Sequence, residues 1–223
     1  MSLVVEQRMS DSSYVESITH GWTVSDGHTI RPAEVHWHLV LVKHCGQVHP
    51  LVVGPWVTAG AVSWGADAEI LWIRFKLGTF MPHLPTRKFL ETETVLPEAT
   101  SRAFWLKSTA WQFPDYDNVE TFIDRLVRDD VLVRDPVVNT VLQGQSHDLS
   151  PRTVRHRFLQ ATGLTQSHIF QFNRALRAEA MLQGGASILD TVDEAGYFDQ
   201  PHLTRSLKRF TGKTPAQIVA ERV

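Results

Sequence analysis

The sequence contains 223 residues, of which 43% are hydrophobic, and its 22 basic and 24 acidic side chains give a net charge of −2. It has no run of roughly 18 apolar residues, which argues against a membrane-spanning helix, and its first residues lack the pattern of a signal peptide. The single cysteine, Cys45, excludes an internal disulfide bond and fits a reducing compartment, so we expect a cytoplasmic protein.

The charge is unevenly distributed along the chain. From Ser150 onward there are 10 basic and 6 acidic side chains, which leaves 12 basic and 18 acidic side chains before it. All seven tryptophans precede residue 112. A basic C-terminal part joined to an acidic N-terminal part predicts two domains, of which only the C-terminal one binds nucleic acid.

The first part of the chain predicts a mostly β domain. Residues 1–18 are polar, and we expect the start of this segment to be poorly ordered. Apolar alternation and Gly or Pro breaks predict four strands, at Val35–Lys43, His49–Pro55, Val57–Trp64 and Ile70–Phe75. Short strands at this spacing favour a small barrel or sandwich, such as a cupin-like one.

The middle of the chain predicts irregular structure followed by helices. Prolines mark irregular chain from Gly78 to Ala99, and Thr100–Trp111 is interpreted as a helix. A second helix is predicted at Val119–Val133, leading into the second domain, with an apolar face of Phe122, Leu126 and Val127.

The C-terminal part is predicted to begin with a short helix and a turn and to contain a long helix further along. Asp135 and Pro136 begin a short helix whose apolar residues are Val138, Val141 and Leu142, and the segment Gly144–Asp148 is the following turn. Further along, Ser167–Leu182 predicts a long amphipathic helix with a buried stripe of Ile169, Phe172, Leu176 and Ala180.

The segment Gly196–Pro215 predicts a turn, a short helix and a stop. Asp199 is a good N-cap, Gly212 ends the helix, and the apolar face consists of Leu203, Leu207 and Phe210. Just upstream, Ser187 caps another short helix, which Gly196 ends and whose apolar residues are Ile188, Val192 and Ala195. Two short helices joined by a glycine turn are typical of a helix-turn-helix motif.

The same pattern occurs 49 residues earlier in the chain. The cap Ser150 corresponds to Asp199 and the stop Gly163 to Gly212, while the equivalent core and following positions are Val154, Phe158 and Thr165. Two helices of one design indicate a duplicated motif.

The C-terminal part resembles the DNA-binding domain of AraC-type bacterial transcription regulators. The resemblance rests on LSPRTVRHRF…TGLT, on NRALRAEAML and on AGYFDQPHLTRSLKRFTGKTP, and it covers residues 135–223. The upstream half is loosely similar to the sensor-like N-terminal domains of some members. The resemblance therefore implies a β sensor or dimerisation domain at 1–112, a helical linker at 113–134 and a DNA-binding domain at 135–223. The part before the first recognition helix is shorter than the family pattern.

The outward side chains of the two recognition helices are the candidate DNA contacts. Arg suits guanine, and Gln suits adenine, in the major groove. The candidates are Arg152, Arg155 and His156 on the first helix and Gln200, Pro201, Thr204 and Arg205 on the second; phosphate contacts are assigned to Lys208, Lys213 and Arg157. Two such helices on one chain would read major-groove segments roughly 34 Å apart. The alternatives are a solvated charged face or, for Arg205 and Arg157, ion pairs with Asp190, Asp193 or Glu194.

Histidines form a second group in the β part. His36 and His38 lie on one face of the strand Val35–Lys43, opposite Trp37, Leu39 and Leu41, and His44 and His49 follow. His-x-His on a strand is how cupin barrels hold metals, so His36, His38 and His49 are metal candidates. The ligand set lacks the usual acidic residue, which favours hydrogen-bonded histidines in a sensor pocket. Cys45 beside His44 and the tryptophans near the strands are interpreted as ordinary packing residues; the alternatives are a reactive thiol and an aromatic ligand pocket.

These observations favour an α+β protein that is a cytoplasmic, sequence-specific transcription regulator. We expect it to bind double-stranded DNA, to sense a small molecule or form a homodimer, to contact RNA polymerase if it activates transcription, and to need no cofactor. No motif of a hydrolase, NTPase or dehydrogenase occurs, so no enzymatic activity is expected. Two alternatives stay open: a cupin-type metalloenzyme with a DNA-binding tail, and a constitutive DNA binder whose N-terminal half only dimerises.

Overall fold

The computed structural model describes residues 3–145 and 148–222, and it confirms the α+β class. Its strands are β1 Leu3–Met9, β2 Val15–Thr23, β3 Gly27–Arg31, β4 His38–His44, β5 Gln47–Val53, β6 Gly60–Trp64, β7 Ala68–Phe75, β8 Thr79–Phe80, β9 Glu93–Val95, β10 Glu98–Thr100, β11 Ala103–Leu106, β12 Thr109–Gln112 and β13 Val133–Arg134. Its helices are α1 Val119–Arg128, α2 Pro136–Leu142, α3 Pro151–Thr162, α4 Gln166–Gln183, α5 Ile188–Glu194, α6 Gln200–Phe210 and α7 Pro215–Ala220, with a 3₁₀ turn at Thr86–Lys88.

A six-stranded sheet in the order β1-β2-β7-β4-β5-β9 forms the body of the β-rich part. Trp37, Leu39 and Leu41 are buried in its core, as the alternation predicts. The indole of Trp37 stacks on Phe75 with ring centroids 3.9 Å apart, and its Nε1–H donates to the Thr79 carbonyl at 2.7 Å. These contacts support a packing role for this tryptophan, while the cupin-like form of the domain stays a prediction.

Two predictions for the β-rich part are wrong. The segment 100–111 is not a helix, because β11 and β12 pair as a hairpin whose turn residues, Lys107 and Ser108, have φ of 52° and 61°. Phe104 and Leu106 are buried on either side of the exposed Trp105, a two-residue spacing that suits a strand. Residues 3–9 are not irregular either, since β1 pairs with β2 along its whole length.

Helix α1 is shorter than predicted. It ends at Arg128, and Asp130, with a φ of 53°, turns the chain so that Val133 pairs with Phe80 as part of β13. Phe122 and Leu126 are buried as predicted, whereas Val127 is only half-buried. The helix therefore packs on the β-rich core before the chain returns to the sheet region.

An ion pair joins the first strand to α1. The Arg8 guanidinium donates to both carboxylate oxygens of Glu120, the longer bond being 2.8 Å, and Ser10 donates to the same carboxylate at 3.0 Å. The hydrogen bonds from Arg8 are the main reason that the pKa of Glu120 is lowered from 4.5 to about 2. Both side chains are one-third exposed, so solvent weakens the pair.

This ion pair predicts a pH dependence of stability. Because the pKa of Glu120 is lower in the folded protein, its contribution is fully present above pH 4.5 and is lost as pH falls toward about 2. We expect the difference in unfolding free energy between the wild type and Glu120→Gln to become smaller as pH falls from 4.5 toward about 2. Urea unfolding at pH 6, 4 and 3 measures this difference. Unfolding free energies that stay a constant distance apart at the three pH values would contradict this assignment.

The C-terminal helices begin and end largely where the sequence predicts. Side chains of Asp135, Ser150, Ser187 and Asp199 each accept a backbone N–H at a helix start. The predicted turn at 144–148 includes Ser146 and His147, which lie outside the described residues.

The buried stripe of the long helix differs from the prediction. Ile169 and Phe172 are buried, but Leu176 is 38% exposed and Ala180 is exposed. Their places are taken by Ala175, Ala178 and Leu182, all fully buried. The small side chains of Ala175 and Ala178 let neighbouring helices approach α4 closely, which a search for large apolar residues misses.

Contacts divide the chain into two compact units. The first contains the described residues of 1–27, 36–55 and 63–165, and the second contains those of 28–35, 56–62 and 166–222. Helices α1, α2 and α3 therefore belong to the same unit as the main sheet, whereas α4 to α7 belong to the unit that contains the segments 28–35 and 56–62. The domain boundaries given above, at residues 112 and 134, stay a prediction. Among the described residues, no helix is long and apolar enough to cross a membrane.

Candidate nucleic-acid interface

Helix α6 presents the outer face that the sequence predicts. Its inner residues are at most 1% exposed: Leu203, Leu207 and Phe210. The carboxylate of Asp199 accepts the His202 N–H at 2.7 Å and fixes the start of the helix. The predicted contact residues Gln200, Pro201, Arg205 and Lys208 are exposed, while Thr204 is half-buried and donates its hydroxyl to the Gln200 carbonyl at 2.9 Å.

Helix α3 has the same design in the first unit. Ser150 accepts the Thr153 N–H at 3.2 Å, and Val154 and Phe158 are buried. The predicted contact residues Arg152, Arg155 and His156 are all exposed. The stop glycines of the two helices have nearly equal φ, 72° at Gly163 and 79° at Gly212. The structure thus confirms the duplicated cap, core and stop.

The basic side chains of the two outer faces differ in their availability. Among the described residues, Arg152, Arg155, Arg205 and Lys208 make no side-chain hydrogen bond or ion pair, so their positive charges face solvent without a partner. The ion pairs that the sequence left open for Arg205 do not form. An unpaired cation on an exposed helix face is available to a phosphate or a base edge.

Arg157 and Lys213 differ from this pattern. Arg157 makes two bonds to the Asp135 carboxylate, at 2.8 and 2.7 Å, and this partner raises the pKa of Arg157. Lys213 lies 2.5 Å from Glu221. The ion-pair alternative therefore holds for Arg157, although its partner is the N-cap residue of α2 and none of the acids suggested by the sequence. Both groups are less available to phosphate than predicted.

Sequence reasoning missed the residues that hold the turn between α5 and α6. Arg177 of α4 donates to the Glu194 carbonyl at 2.6 Å, and Arg174 donates to the Gly196 carbonyl at 3.3 Å. The Arg174 guanidinium also lies 4.5 Å from the centre of the Tyr197 ring. These two arginines hold the carbonyls at the end of α5. Their three-residue spacing on one helix face was the sequence signal that could have revealed this role.

The C-terminal end of each recognition helix is held by a segment from the first half of the chain. In the first unit, the Thr86 hydroxyl donates to the Ala161 carbonyl of α3 at 3.3 Å. In the second unit, the N–H groups of Ala33 and Ala59 donate to the Phe210 and Arg209 carbonyls of α6, each at 2.7 Å. Such contacts over 75 residues or more leave no local sequence signal.

The metal candidates do not form a ligand set. Nε2 of His36 lies 3.1 Å from the Glu16 carboxylate, and its Nδ1 lies 2.7 Å from the Arg74 guanidinium, a cation that would repel a metal ion. Nδ1 of His49 lies 3.5 Å from Glu98 on β10. Within residues 3–145 and 148–222, no group of three or more His, Cys, Asp or Glu is placed to hold a metal, and His38 has partners of its own.

The first unit contains a cavity of about 430 Å³ between the main sheet and the segment 113–117. Leu41 and Leu71 contribute apolar surface, and the imidazole of His20 stacks on the Tyr116 ring with centroids 5.6 Å apart. The carboxylate of Glu69 accepts bonds from Lys43 and His20, each 2.9 Å long, and these bonds lower the pKa of Glu69. An apolar floor with a few charged groups at its rim is typical of a small-molecule site.

Comparison with known proteins defines the class of the C-terminal part. Residues 145–221 match the family described as a helix-turn-helix domain, in agreement with the AraC-type resemblance of this region. The match supports a DNA-binding transcriptional regulator. No curated protein matches the chain.

Two solved structures of ToxT from Vibrio cholerae are similar to the whole chain. One of them is bound to (E)-4-(8-methylnaphthalen-1-yl)but-3-enoic acid. It is 8% identical to this chain with a TM-score of 0.41, and the alignment covers 100% of each chain. The other is 8% identical with a TM-score of 0.37 and covers 99% of this chain and 98% of its own.

Proposed function

We propose that this protein is a cytoplasmic, non-enzymatic transcription regulator that reads a specific double-stranded DNA site with α3 and α6. The observation that carries the proposal is the duplicated helix: the same cap, core and stop occur twice, each with unpaired basic side chains on the outer face. Arg152 and Arg155 on α3, and Arg205 on α6, suit guanine edges in the major groove, while Lys208 suits a phosphate.

The β-rich part is proposed to sense a small molecule. Support comes from the cavity beside Tyr116, which directly precedes α1, and from the continuous path that follows along the chain. Helix α1 leads through β13 to α2, whose cap Asp135 pairs with Arg157 on α3. A ligand that moves the segment 113–117 can therefore bias α3 and so change operator affinity. Dimerisation of the β-rich part, and contact with RNA polymerase if the protein activates, belong to the same proposal.

Selection of bound duplexes from a random pool tests the DNA-binding half of this proposal. The full-length protein is incubated with the pool at two salt concentrations, and the bound fraction is sequenced. An enriched motif of two blocks about one helical turn apart is expected if both helices read bases. Binding without sequence preference that disappears at the higher salt would show that the basic faces act by charge alone and would contradict the proposal.

The sensing half needs a separate experiment. A thermal-shift screen of the full-length protein identifies stabilising small molecules, and operator affinity is then measured with and without each one. The effect on affinity should disappear in Tyr116→Ala, which removes a cavity wall, and persist in Trp105→Ala, an exposed aromatic residue on β11 outside this cavity. Operator affinity that no stabilising ligand changes would instead favour a constitutive DNA binder.

A further inference from the structure

One aromatic side chain of the second helix-turn-helix is almost completely exposed. Phe198 lies in the turn between α5 and α6, next to the cap residue Asp199, and is 91% accessible to solvent. The other large exposed apolar residues of α4 and α5 are less accessible: Phe170 at 45%, Leu176 at 38% and Leu189 at 69%.

The backbone around Phe198 is held on both sides, so the ring is presented in a fixed place. The preceding Tyr197 is 5% exposed, and its hydroxyl lies 3.0 Å from the Ser206 hydroxyl. The Phe198 N–H donates to Nδ1 of His202 at 3.4 Å, and the His202 N–H donates to Asp199. A phenylalanine side chain has only two side-chain torsions, so on a held backbone it loses little conformational entropy when a partner covers it.

The position of Phe198 indicates what that partner is. It lies at the N-terminal end of α6, the end of a recognition helix that contacts base edges in the major groove. Pro201, on the first turn of α6, is a second exposed apolar residue at this end, and the unpaired Arg205 follows one turn later. The 5-methyl group of thymine is the apolar feature of the major groove, and phenyl rings are among its usual contacts.

We propose that Phe198, together with Pro201, contacts thymine methyl groups and makes the second helix-turn-helix select T at one or two positions of its operator block. This inference rests on the proposed function, because it requires that α6 enters the major groove. The ring supplies apolar selectivity beside the guanine preference of Arg205, so the block should combine a G with a neighbouring T.

Replacement of single thymines by deoxyuridine tests the contact, since it removes one methyl group and leaves base pairing intact. The probe is the duplex selected by the full-length protein, and the dissociation constant is measured by fluorescence anisotropy. For the wild type, deoxyuridine at one or two positions of the second block should weaken binding about four-fold, the effect of one buried methyl-sized group. Phe198→Ala should weaken binding to the thymine duplex about ten-fold and should no longer distinguish thymine from deoxyuridine at the position that the ring covers, whereas a position covered by Pro201 should keep its methyl effect.

Two further variants make the result specific. Phe198→Leu keeps an apolar group and should retain part of the methyl effect, whereas Phe170→Ala makes the same truncation on α4 and should retain all of it. If Phe198→Ala binds the duplex like the wild type, the ring serves a protein partner or none, and the inference is wrong. It is also wrong if deoxyuridine acts equally on wild type and Phe198→Ala. A pool that yields no motif overturns the regulator proposal and this inference together.

Discussion

Replacing Arg205 with Ala is expected to weaken binding to the selected operator by about ten- to a hundred-fold and to abolish the preference for guanine in one block. The reason is that Arg205 is exposed, has no partner among the described residues and lies on the outer face of α6. A bidentate arginine–guanine pair supplies about 1–3 kcal/mol of discrimination against the wrong base. Arg152→Ala should have the equivalent effect on the other block, which repeated selection with each variant measures.

A lysine on the same helix gives the matched control. Lys208→Ala should weaken binding by a similar factor on all sequences and reduce the salt dependence by about one counterion, without changing the motif. Loss of motif information in Lys208→Ala, or an unchanged motif in Arg205→Ala, would show that the bases are read by other residues.

Gly212→Ala is expected to lower the unfolding free energy by about 2–5 kcal/mol, the sum of a conformational cost and a packing cost. Gly212 has a φ of 79°, a conformation that costs an alanine about 1–2 kcal/mol. A Cβ atom there would also lie 2.5 Å from Cγ2 of Ile30, so the Ile30 side chain or its strand β3 would have to shift. Overpacking of this kind typically costs about 1–3 kcal/mol.

Gly196 is the matched control for this substitution. Its φ of 72° is nearly the same, but a Cβ atom there would meet nothing within 4 Å. Gly196→Ala should therefore cost about 1–2 kcal/mol, from conformation alone. The difference between the two variants in urea unfolding measures the contact with Ile30, and equal losses would show that this contact has no energetic importance.

The recognition helices were predictable because their signals are local. An N-cap, a three- or four-residue apolar spacing and a stop glycine lie within about a dozen residues, and each of these signals acts through the nearest backbone. The repeat of this arrangement 49 residues apart strengthened the prediction further. The exposed faces of α3 and α6 followed directly, because fixing the buried residues of a helix also fixes its opposite side.

The wrong predictions concern features that an apolar pattern does not show. The hairpin of β11 and β12 depends on Lys107 and Ser108 adopting positive φ, and residues other than Gly and Asn rarely signal such a turn in a sequence. The partner of Arg157 is Asp135, 22 residues away, and the partners of the α6 carbonyls lie more than 140 residues earlier, at Ala33 and Ala59. Pairings at these distances are decided by packing, so no single-segment pattern reveals them.

The most direct test of the account is guanine methylation interference on the selected duplex with full-length protein. A methyl group at N7 blocks the acceptor that a bidentate arginine uses in the major groove. Two clusters of interfering guanines are expected, about one helical turn apart, one lost in Arg152→Ala and the other in Arg205→Ala. A single cluster, or interference that neither variant changes, would contradict the claim that both halves of the duplicated motif read DNA.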